Sequence, residues 1–256
     1  MSIALELSNR VALVTGSTGQ LGRVIARTLA EAGADVALHY HGNAAKAEAL
    51  RAEIAAMGRK AYPAQADVTD LASVQAMGAA VGEALGSPDI VVACAVSQVW
   101  PWSSVLEEDP ADYEDQFRSC VMQNVHLAKV FVPAMAERGW GRYVGINTEC
   151  VMQLHETQSA YAAGKRGMDG LLRVLAKEVG KSGVTVNQVA PGWTISDQDR
   201  AAGTEVNEAY ASTVPLRRRG TDREVANVVA FLASDLASFV TGAFVPVCGG
   251  NVMPTV

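Results

Sequence analysis

The feature that most constrains the fold is a strand, a glycine-rich turn and a helix that follow one another near the start of the chain. Residues 11–15 form a short apolar run rich in β-forming side chains. The run stops at a turn, residues 16–22, and apolar residues then recur with helical spacing as far as Ala30. Backbone N–H groups at such a helix N-terminus can hold a pyrophosphate, because glycine lets the anion approach the main chain. This junction therefore predicts a dinucleotide-binding unit.

The alternation of strand and helix continues along the chain. Further strands are predicted at residues 35–40, 60–66, 89–96, 142–147, 184–190 and 243–247, and helices at 44–57, 71–85, 111–136, around Tyr161, and at 222–233. A variable segment, residues 193–216, precedes the last helix. Seven strands alternating with helices imply an α/β fold with a doubly wound parallel sheet covered on both faces, as in the Rossmann fold. No linker interrupts the pattern, so we expect a single domain over residues 1–256.

Charge and hydropathy argue against two classes of partner. The net charge of −6 includes no concentrated basic face, so a nucleic-acid partner is not expected. The only cationic run, residues 217–219, is interpreted as a solvated loop. Apolar runs are far shorter than the roughly 20 residues of a membrane span, and the first seven residues do not resemble a secretory signal. We therefore expect a cytoplasmic protein with no membrane partner.

The cysteines and histidines do not form a metal-binding pattern. No pair of cysteines has the spacing of a zinc site, and the histidines are scattered. The cysteines are Cys94, Cys120, Cys150 and Cys248, and the histidines are His39, His41, His126 and His155. Small buried thiols in a reducing compartment explain the cysteines best, so no metal is predicted.

A phenol and an ammonium lie four residues apart, at Tyr161 and Lys165, within a helical pattern. That spacing places both groups on one helix face, where they can contact the same bound molecule. A phenol with a pKa of about 10 needs a shift of roughly three units, or about 4 kcal/mol, to titrate near neutrality. One neighbouring cation usually supplies one to three of these units. Taken alone, the pair also fits two surface residues on an amphipathic helix.

Several ordered motifs together resemble the short-chain dehydrogenase/reductase family, from about residue 7 to residue 253. The motifs are the Thr15-Gly16 turn, Asp67-Val68 after the third strand, Tyr161 with Lys165, residues 187–192 (Asn-Gln-Val-Ala-Pro-Gly), and the closing stretches at 221–235, 241–242 and 249–250. The resemblance implies an NAD(P)-dependent enzyme that interconverts a carbonyl compound and its alcohol.

The resemblance also implies roles for three catalytic residues. Tyr161 would exchange a proton with the substrate oxygen, and Lys165 would lower the pKa of Tyr161 and bond the nicotinamide ribose. Thr148 stands thirteen residues before Tyr161, where the family usually has a serine that hydrogen-bonds the substrate oxygen. Threonine keeps the hydroxyl, although a β-branched residue ending a strand is the alternative interpretation.

The cofactor residues follow from the resemblance and from the rule that ligands bind at the carboxyl ends of parallel strands. They are Gly16, Ser17, Thr18, Gly19, Gln20, Leu21, Tyr40, His41, Asp67, Val68, Ala95, Lys165, Pro191, Gly192 and Ser196. Asp67 would contact the adenine or cap a helix. Position 40 carries no carboxylate to bond the adenosine ribose, which favours NADP(H), whereas only His41 is available as a cation, which leaves NAD(H) open.

Three positions depart from the family pattern. Gln20 occupies the second glycine of the glycine-rich turn, where its side chain must avoid the cofactor phosphates. Val96 stands where the family has a glycine that lets the cofactor lie close. Cys120 replaces an asparagine of the long helix that supports a water leading to the lysine, and Asn124, one turn later, is a candidate to serve instead.

On the substrate side, large or titratable side chains occur on the loops expected to form the mouth of the site. They are Trp100, Trp102, Met152, His155 and Trp193. Large rings build ligand walls, so an apolar or aromatic carbonyl compound is the predicted substrate. Glu149 and His155 would tune a polar substrate or face water.

The sequence thus predicts an NAD(P)H-dependent carbonyl reductase or alcohol dehydrogenase. By family analogy it would assemble as a homotetramer, or a homodimer, through its long central helices. Two alternatives stay open. One is a dinucleotide-binding sensor or scaffold with reduced catalysis, and the other is a non-redox lyase or epimerase on the same fold.

Overall fold

The computed structural model describes residues 5–97 and 101–254 and contains a seven-stranded parallel sheet, which confirms the predicted fold class. In spatial order the strands are β3-β2-β1-β4-β5-β6-β7, so the winding reverses between β1 and β4. The strands are β1 (Val11–Val14), β2 (Asp35–Tyr40), β3 (Ala61–Gln65), β4 (Ile90–Ala93), β5 (Gly141–Ile146), β6 (Val184–Pro191) and β7 (Phe244–Val247). Such a reversal opens a crevice at the carboxyl ends of the strands.

Helices cover both faces of this sheet. They are α1 (Gln20–Glu31), α2 (Ala44–Ala56), α3 (Leu71–Leu85), α4 (Pro110–Phe117), α5 (Gln123–Arg138), α6 (Cys150–Gln153), α7 (Ser159–Val179), α8 (Asp197–Ala202), α9 (Glu208–Thr213) and α10 (Asp222–Ala233). The variable segment 193–216 thus contains two short helices. The described helices include none with the length and apolar character needed to cross a lipid bilayer.

The core lies in two layers because successive side chains of a strand point to opposite faces. On one face, Val14 packs with Ile25 of α1 and Val225 of α10. On the other face, Leu13 packs with Leu127 of α5 and Leu172 of α7. All of these side chains are buried, so helices cover both faces of the central strands. Buried faces on both sides explain why the strands read as continuous apolar runs.

The long helix predicted over residues 111–136 is interrupted, which corrects that expectation. A π-helical turn, Arg118–Met122, separates α4 from α5. The wider turn leaves carbonyls without their usual partners. Two amide side chains replace those partners: Gln123 donates to the Ser119 carbonyl, and Asn124 donates to the Cys120 carbonyl at 2.6 Å.

Strand β4 is also shorter than the predicted range 89–96. It ends at Ala93 because the next two backbone N–H groups, those of Cys94 and Ala95, donate to the Thr15 hydroxyl at 2.9 and 3.0 Å. The same hydroxyl donates to the Val92 carbonyl at 3.4 Å. Thr15 therefore fastens the end of β1 to the end of β4, at the point where the crevice opens.

Replacing Thr15 by valine tests this fastening. The change keeps the side-chain shape but leaves two backbone N–H groups without an acceptor, which should lower the free energy of unfolding by about 2–4 kcal/mol. Thr185→Val is the matched control, because the buried Thr185 hydroxyl has no hydrogen-bond partner in the described structure. Urea unfolding of the control should differ from wild type by less than about 1 kcal/mol. Equal losses in the two variants would contradict the assignment.

Candidate active site

The turn after β1 is shaped by a glycine with a left-handed backbone. Gly16 has φ +65°, and a Cβ at this position would stand 3.0 Å from the Cα of Ala95. Any other residue would therefore be strained and would collide with the end of β4. Gly16 donates its N–H to Nδ1 of His39 at 2.9 Å. The turn is thus fixed by contacts with both neighbouring strands.

His39 is a site residue that sequence reasoning missed. Its Nδ1 accepts from Gly16, so its Nε2 carries the proton and donates to the Ala66 carbonyl at 3.1 Å. Burial lowers the pKa of His39 to about 4, so the ring is neutral at physiological pH. The only sign of this role in the sequence is a polar residue that directly follows the apolar residues 36–38 of β2.

The N-terminus of α1 fits a phosphate group. No described side chain caps it, and its N-cap, Gly19, is exposed and extended. The first N–H groups of the helix can therefore face an anion. Among the predicted turn residues, Ser17 is committed elsewhere, because both its N–H and its hydroxyl donate to the His39 carbonyl at 2.9 and 3.0 Å. Thr18 and Leu21 are half-buried beside the turn.

The predicted adenine-side residues follow β2 and β3. Tyr40 ends β2 half-buried, and His41 after it is exposed. Asp67 accepts from the N–H and the hydroxyl of Thr69 at 2.8 and 2.7 Å, and these bonds are the main reason that its pKa is lowered. The alternative role of Asp67 as a helix cap is wrong, since Asp70 caps α3. Val68 is buried.

The three predicted catalytic residues meet at the end of β5. Lys165 on α7 is buried, donates to the Ile146 carbonyl at 2.7 Å, and places its Nζ 5.9 Å from the centre of the Tyr161 ring. Thr148 follows β5, is buried, and lowers the pKa of the nearby Tyr161 phenol, while its hydroxyl accepts from the Cys150 N–H at 3.2 Å. The Thr148 N–H is held by Asn147 Oδ1 at 2.8 Å, which sets the direction of the chain there.

Burial determines the protonation of Tyr161. Removal of the phenol from water is the largest influence and raises its pKa, while the Thr148 hydrogen bond acts in the opposite direction. The sequence predicted that Lys165 would lower this pKa. Burial outweighs the effect of Thr148, so the pKa of Tyr161 is raised above the usual value of a phenol. Tyr161 therefore carries its proton at neutral pH. The lowering expected from Lys165 stays a prediction.

The long helix contributes no side-chain carboxamide to Lys165. Asn124, the candidate replacement for the family asparagine, donates to the Cys120 carbonyl and accepts from the Tyr143 hydroxyl at 2.7 Å. Both ends of its amide are thus occupied within the core. Cys120 is buried on the π-helical turn, and its thiol donates weakly to Gln116 at 3.8 Å. Val96, the other departure on this side, packs half-buried against the core.

Glu149 does not face water, which excludes one of the two roles expected for it. It is buried, and its carboxylate accepts from the Tyr210 hydroxyl at 2.8 Å and from Asn251 at 3.1 Å. The Trp193 N–H donates in turn to the Tyr210 hydroxyl at 3.0 Å. Burial raises the pKa of Glu149, and the two hydrogen bonds partly offset that effect. Tyr210 lies 61 residues from Glu149 in sequence, so no local pattern indicated the pair.

Arg219 corrects the expectation of a solvated loop at residues 217–219. Its side chain is 2 % exposed, pairs with Asp199 at 2.7 Å, and donates to the Thr194 carbonyl at 2.8 Å. Its guanidinium lies 4.4 Å from the centre of the Trp193 ring. Ser196 caps α8 in a reciprocal pair with Asp199. Arg219 thus contacts three residues of the segment that follows β6 and fixes them relative to one another.

The predicted substrate residues on the segments after β5 and β6 come together in part. Met152 and His155 lie on the segment after Thr148, and the charge of His155 acts on Glu149. Trp193 follows the half-buried Pro191 and Gly192, is half exposed, and meets the Tyr210 ring edge-on at 5.4 Å.

Of the other two predicted tryptophans, Trp102 precedes α4 and is 40 % exposed, and its contact with a substrate stays a prediction. Trp100 lies outside the described residues. Across residues 5–97 and 101–254, no group of three histidine, cysteine, aspartate or glutamate side chains could hold a metal ion.

Comparisons with known proteins identify the family. A family model described as enoyl-(acyl carrier protein) reductase matches residues 16–251. The chain belongs to the short-chain dehydrogenase/reductase family. It is 34 % identical to nodulation protein G of Azospirillum brasilense over 244 residues, which cover 95 % of this chain and 98 % of that protein. It is 35 % identical to the 3-oxoacyl-(acyl-carrier-protein) reductase FabG of Staphylococcus aureus over 242 residues, covering 94 % and 98 %.

A solved short-chain dehydrogenase/reductase is also similar. The gluconate 5-dehydrogenase of Burkholderia cenocepacia J2315, in complex with NADP and tartrate, superposes with a TM-score of 0.88 at 28 % identity, covering 96 % of each chain. These relatives support an NAD(P)-dependent oxidoreductase that acts on CH–OH and C=O groups. The α1 N-terminus and the Gly16 turn are consistent with that cofactor class.

Acidification is expected to destabilise the protein through His39. Its pKa is about 4 when folded, against 6.5 for the free side chain. Between these values the unfolded chain binds more protons than the folded protein. The free energy of unfolding should therefore fall as pH drops from about 6.5 to about 4, by up to about 3 kcal/mol. Urea unfolding followed across this range measures the effect.

Two variants isolate the contribution of His39. His39→Asn keeps an acceptor near Gly16 but takes up no proton, so its stability should depend less on pH. His155→Asn, at an exposed position, should keep the wild-type dependence. If the slope of stability against pH is unchanged in His39→Asn, another group is responsible for it.

Proposed function

We propose that the protein reduces a carbonyl compound to its alcohol with NADPH, with Tyr161 as the proton donor. The observation that carries this proposal is the meeting of Tyr161, Lys165 and Thr148 at the end of β5, beside the crevice. Lys165 and Thr148 are buried and Tyr161 is half-buried beside them. A phenol, an ammonium and a hydroxyl placed together in this way are suited to a substrate oxygen that gains negative charge.

The protonation of Tyr161 favours the reductive direction at neutral pH. Because burial raises its pKa, the phenol holds the proton that the substrate oxygen needs. A nicotinamide cofactor, when bound, would supply the hydride. Thr148 would hold the carbonyl oxygen near the phenol, so orientation contributes to the rate together with proton donation. In the opposite direction Tyr161 would first have to lose its proton, which becomes easier as pH rises.

Lys165 is suited to hold the cofactor ribose while it supports Tyr161. Only one of the three N–H groups of its ammonium is used in its contact with Ile146. The other two N–H groups of the ammonium would donate to ribose hydroxyls of the cofactor. A buried ammonium beside the crevice also stabilises negative charge that develops on the phenol.

The preference for NADP(H) over NAD(H) rests on the end of β2. Tyr40 and His41 stand where a carboxylate would favour NAD(H), and the gluconate 5-dehydrogenase relative was solved with NADP. A fluorescence titration with NADPH and NADH measures the preference directly.

The substrate is proposed to be an apolar or aromatic carbonyl compound. Trp193 and Leu154 are each at least half exposed and flank the segments that follow β6 and β5. Met152 lies between Leu154 and Thr148 in the chain. Apolar walls of this kind suit a ring or a hydrocarbon chain better than a sugar acid.

A homotetramer is proposed as the assembly, with size-exclusion chromatography and light scattering as its test. A groove between α4 and α7 is lined by Tyr113, Phe117 and Gly164, and Phe117 is half exposed there. A second copy of the chain would bury this aromatic surface.

Replacing Tyr161 by phenylalanine tests the proposed reaction. The change removes only the proton donor, so reduction of a panel of aryl ketones should fall by about 10²- to 10⁴-fold while NADPH binding is retained. Tyr62→Phe, on the edge strand β3, is the matched control and should keep full activity. For Thr148, serine should preserve turnover and valine should reduce it.

Three results would overturn the reductase proposal. Cofactor binding without turnover in the wild type would favour the sensor or scaffold. Product formed without net cofactor consumption would favour a lyase or epimerase. Turnover that survives in Tyr161→Phe would remove Tyr161 from the mechanism.

A further inference from the structure

The side chain of Gln20 bridges the two sides of the crevice. Its Nε2 donates to the Ile195 carbonyl at 2.7 Å, and its Oε1 accepts from the Asp197 N–H at 3.3 Å. Both partners belong to the segment that follows β6, more than 170 residues away in sequence. A single amide at the start of α1 thus holds two backbone groups of the opposite wall.

A second contact from α1 supports the same segment. Arg23, three residues after Gln20 and therefore on the same face of the helix, pairs with Asp197 at 2.7 Å. This hydrogen bond is the largest cause of the lowered pKa of Asp197. Asp197 also pairs with Arg200 within α8 at 3.0 Å. The beginning of α8 is consequently tied to the beginning of α1.

The residue type at position 20 matters because glycine, which the family pattern has here, offers no side chain for this bridge. We propose that Gln20 is a positioning residue that holds residues 195–197 across the glycine-rich turn before the cofactor binds. The proposal rests on the proposed cofactor-dependent function. In this proposal Gln20 helps to order the cofactor site, although a side chain at this position was expected to obstruct the cofactor phosphates.

The predicted benefit is preorganisation of the cofactor site. A segment that is already fixed loses less conformational freedom when a ligand is bound under it, so more of the contact energy appears as affinity. The bridge also has to open or stretch before a ligand under the segment can leave. Gln20 should therefore slow cofactor release more than it speeds cofactor capture.

Hydrogen exchange of the free protein tests the bridge without relying on catalysis. The Asp197 amide donates to Gln20, whereas the Ile195 amide donates to the Gly220 carbonyl at 2.9 Å. In Gln20→Ala and Gln20→Gly, exchange at Asp197 should rise about 3- to 10-fold, as expected for the loss of one hydrogen bond. Exchange at Ile195 should change less.

Cofactor kinetics provide the second readout. NADPH should dissociate about 3- to 10-fold faster from both variants, as expected for the loss of about 1 kcal/mol. Gln75→Ala, at an exposed position on α3, is the matched control and should behave as wild type in both measurements.

Two results would overturn the inference. Unchanged exchange at Asp197 in both Gln20 variants would show that the bridge does not order the segment. Tighter NADPH binding by Gln20→Gly would show that the side chain obstructs the site. Failure of the wild type to bind any cofactor would instead refute the proposed function, and the exchange result for the free protein would still stand.

Discussion

Backbone N–H groups just past the strand ends need hydrogen-bond acceptors that no neighbouring strand supplies. The side chains that supply them shape the candidate site. The seven strands of the described sheet are parallel, so their carboxyl ends meet at one edge. A few buried polar side chains supply the missing partners. Thr15 accepts from two N–H groups after β4, His39 accepts from Gly16 after β1, and Asn147 accepts from Thr148 after β5. Without them the edge would hold unpaired backbone groups instead of a shaped crevice.

The same burial fixes the protonation states. His39 is neutral because desolvation lowers its pKa, and Tyr161 is neutral because desolvation raises its pKa. Burial therefore lowers the pKa of a basic side chain and raises the pKa of an acidic one, and both side chains are neutral. For His39 the result is a hydrogen-bond acceptor that fixes the turn. For Tyr161 the result is a phenol that retains its proton.

The chain after β6 forms one side of the crevice, and side chains from distant elements hold it in place. Gln20 on α1 and Arg219 each donate to a backbone carbonyl of this segment, and Glu149 accepts from the hydroxyl of Tyr210. Two of these anchors are buried and charged, and each lies in a set of hydrogen bonds that offsets the cost of desolvation. The substrate side is thus tied to the catalytic strand, since Glu149 directly follows Thr148.

Apolar periodicity and motif spacings are local properties of the chain, so the sheet, the order of its helices and the family could be predicted from the sequence alone. Helices 71–85 and 222–233 were predicted with their observed bounds, and Tyr161 and Lys165 were placed on one helix face. Tertiary structure alone decided which polar groups are paired. The π-helical turn at 118–122, the burial of Arg219 and the bridge from Gln20 each depend on partners distant in sequence or on packing between helices. Desolvation likewise depends on the packed molecule, so the effect of burial on the pKa of Tyr161 has no counterpart in the Lys165 spacing.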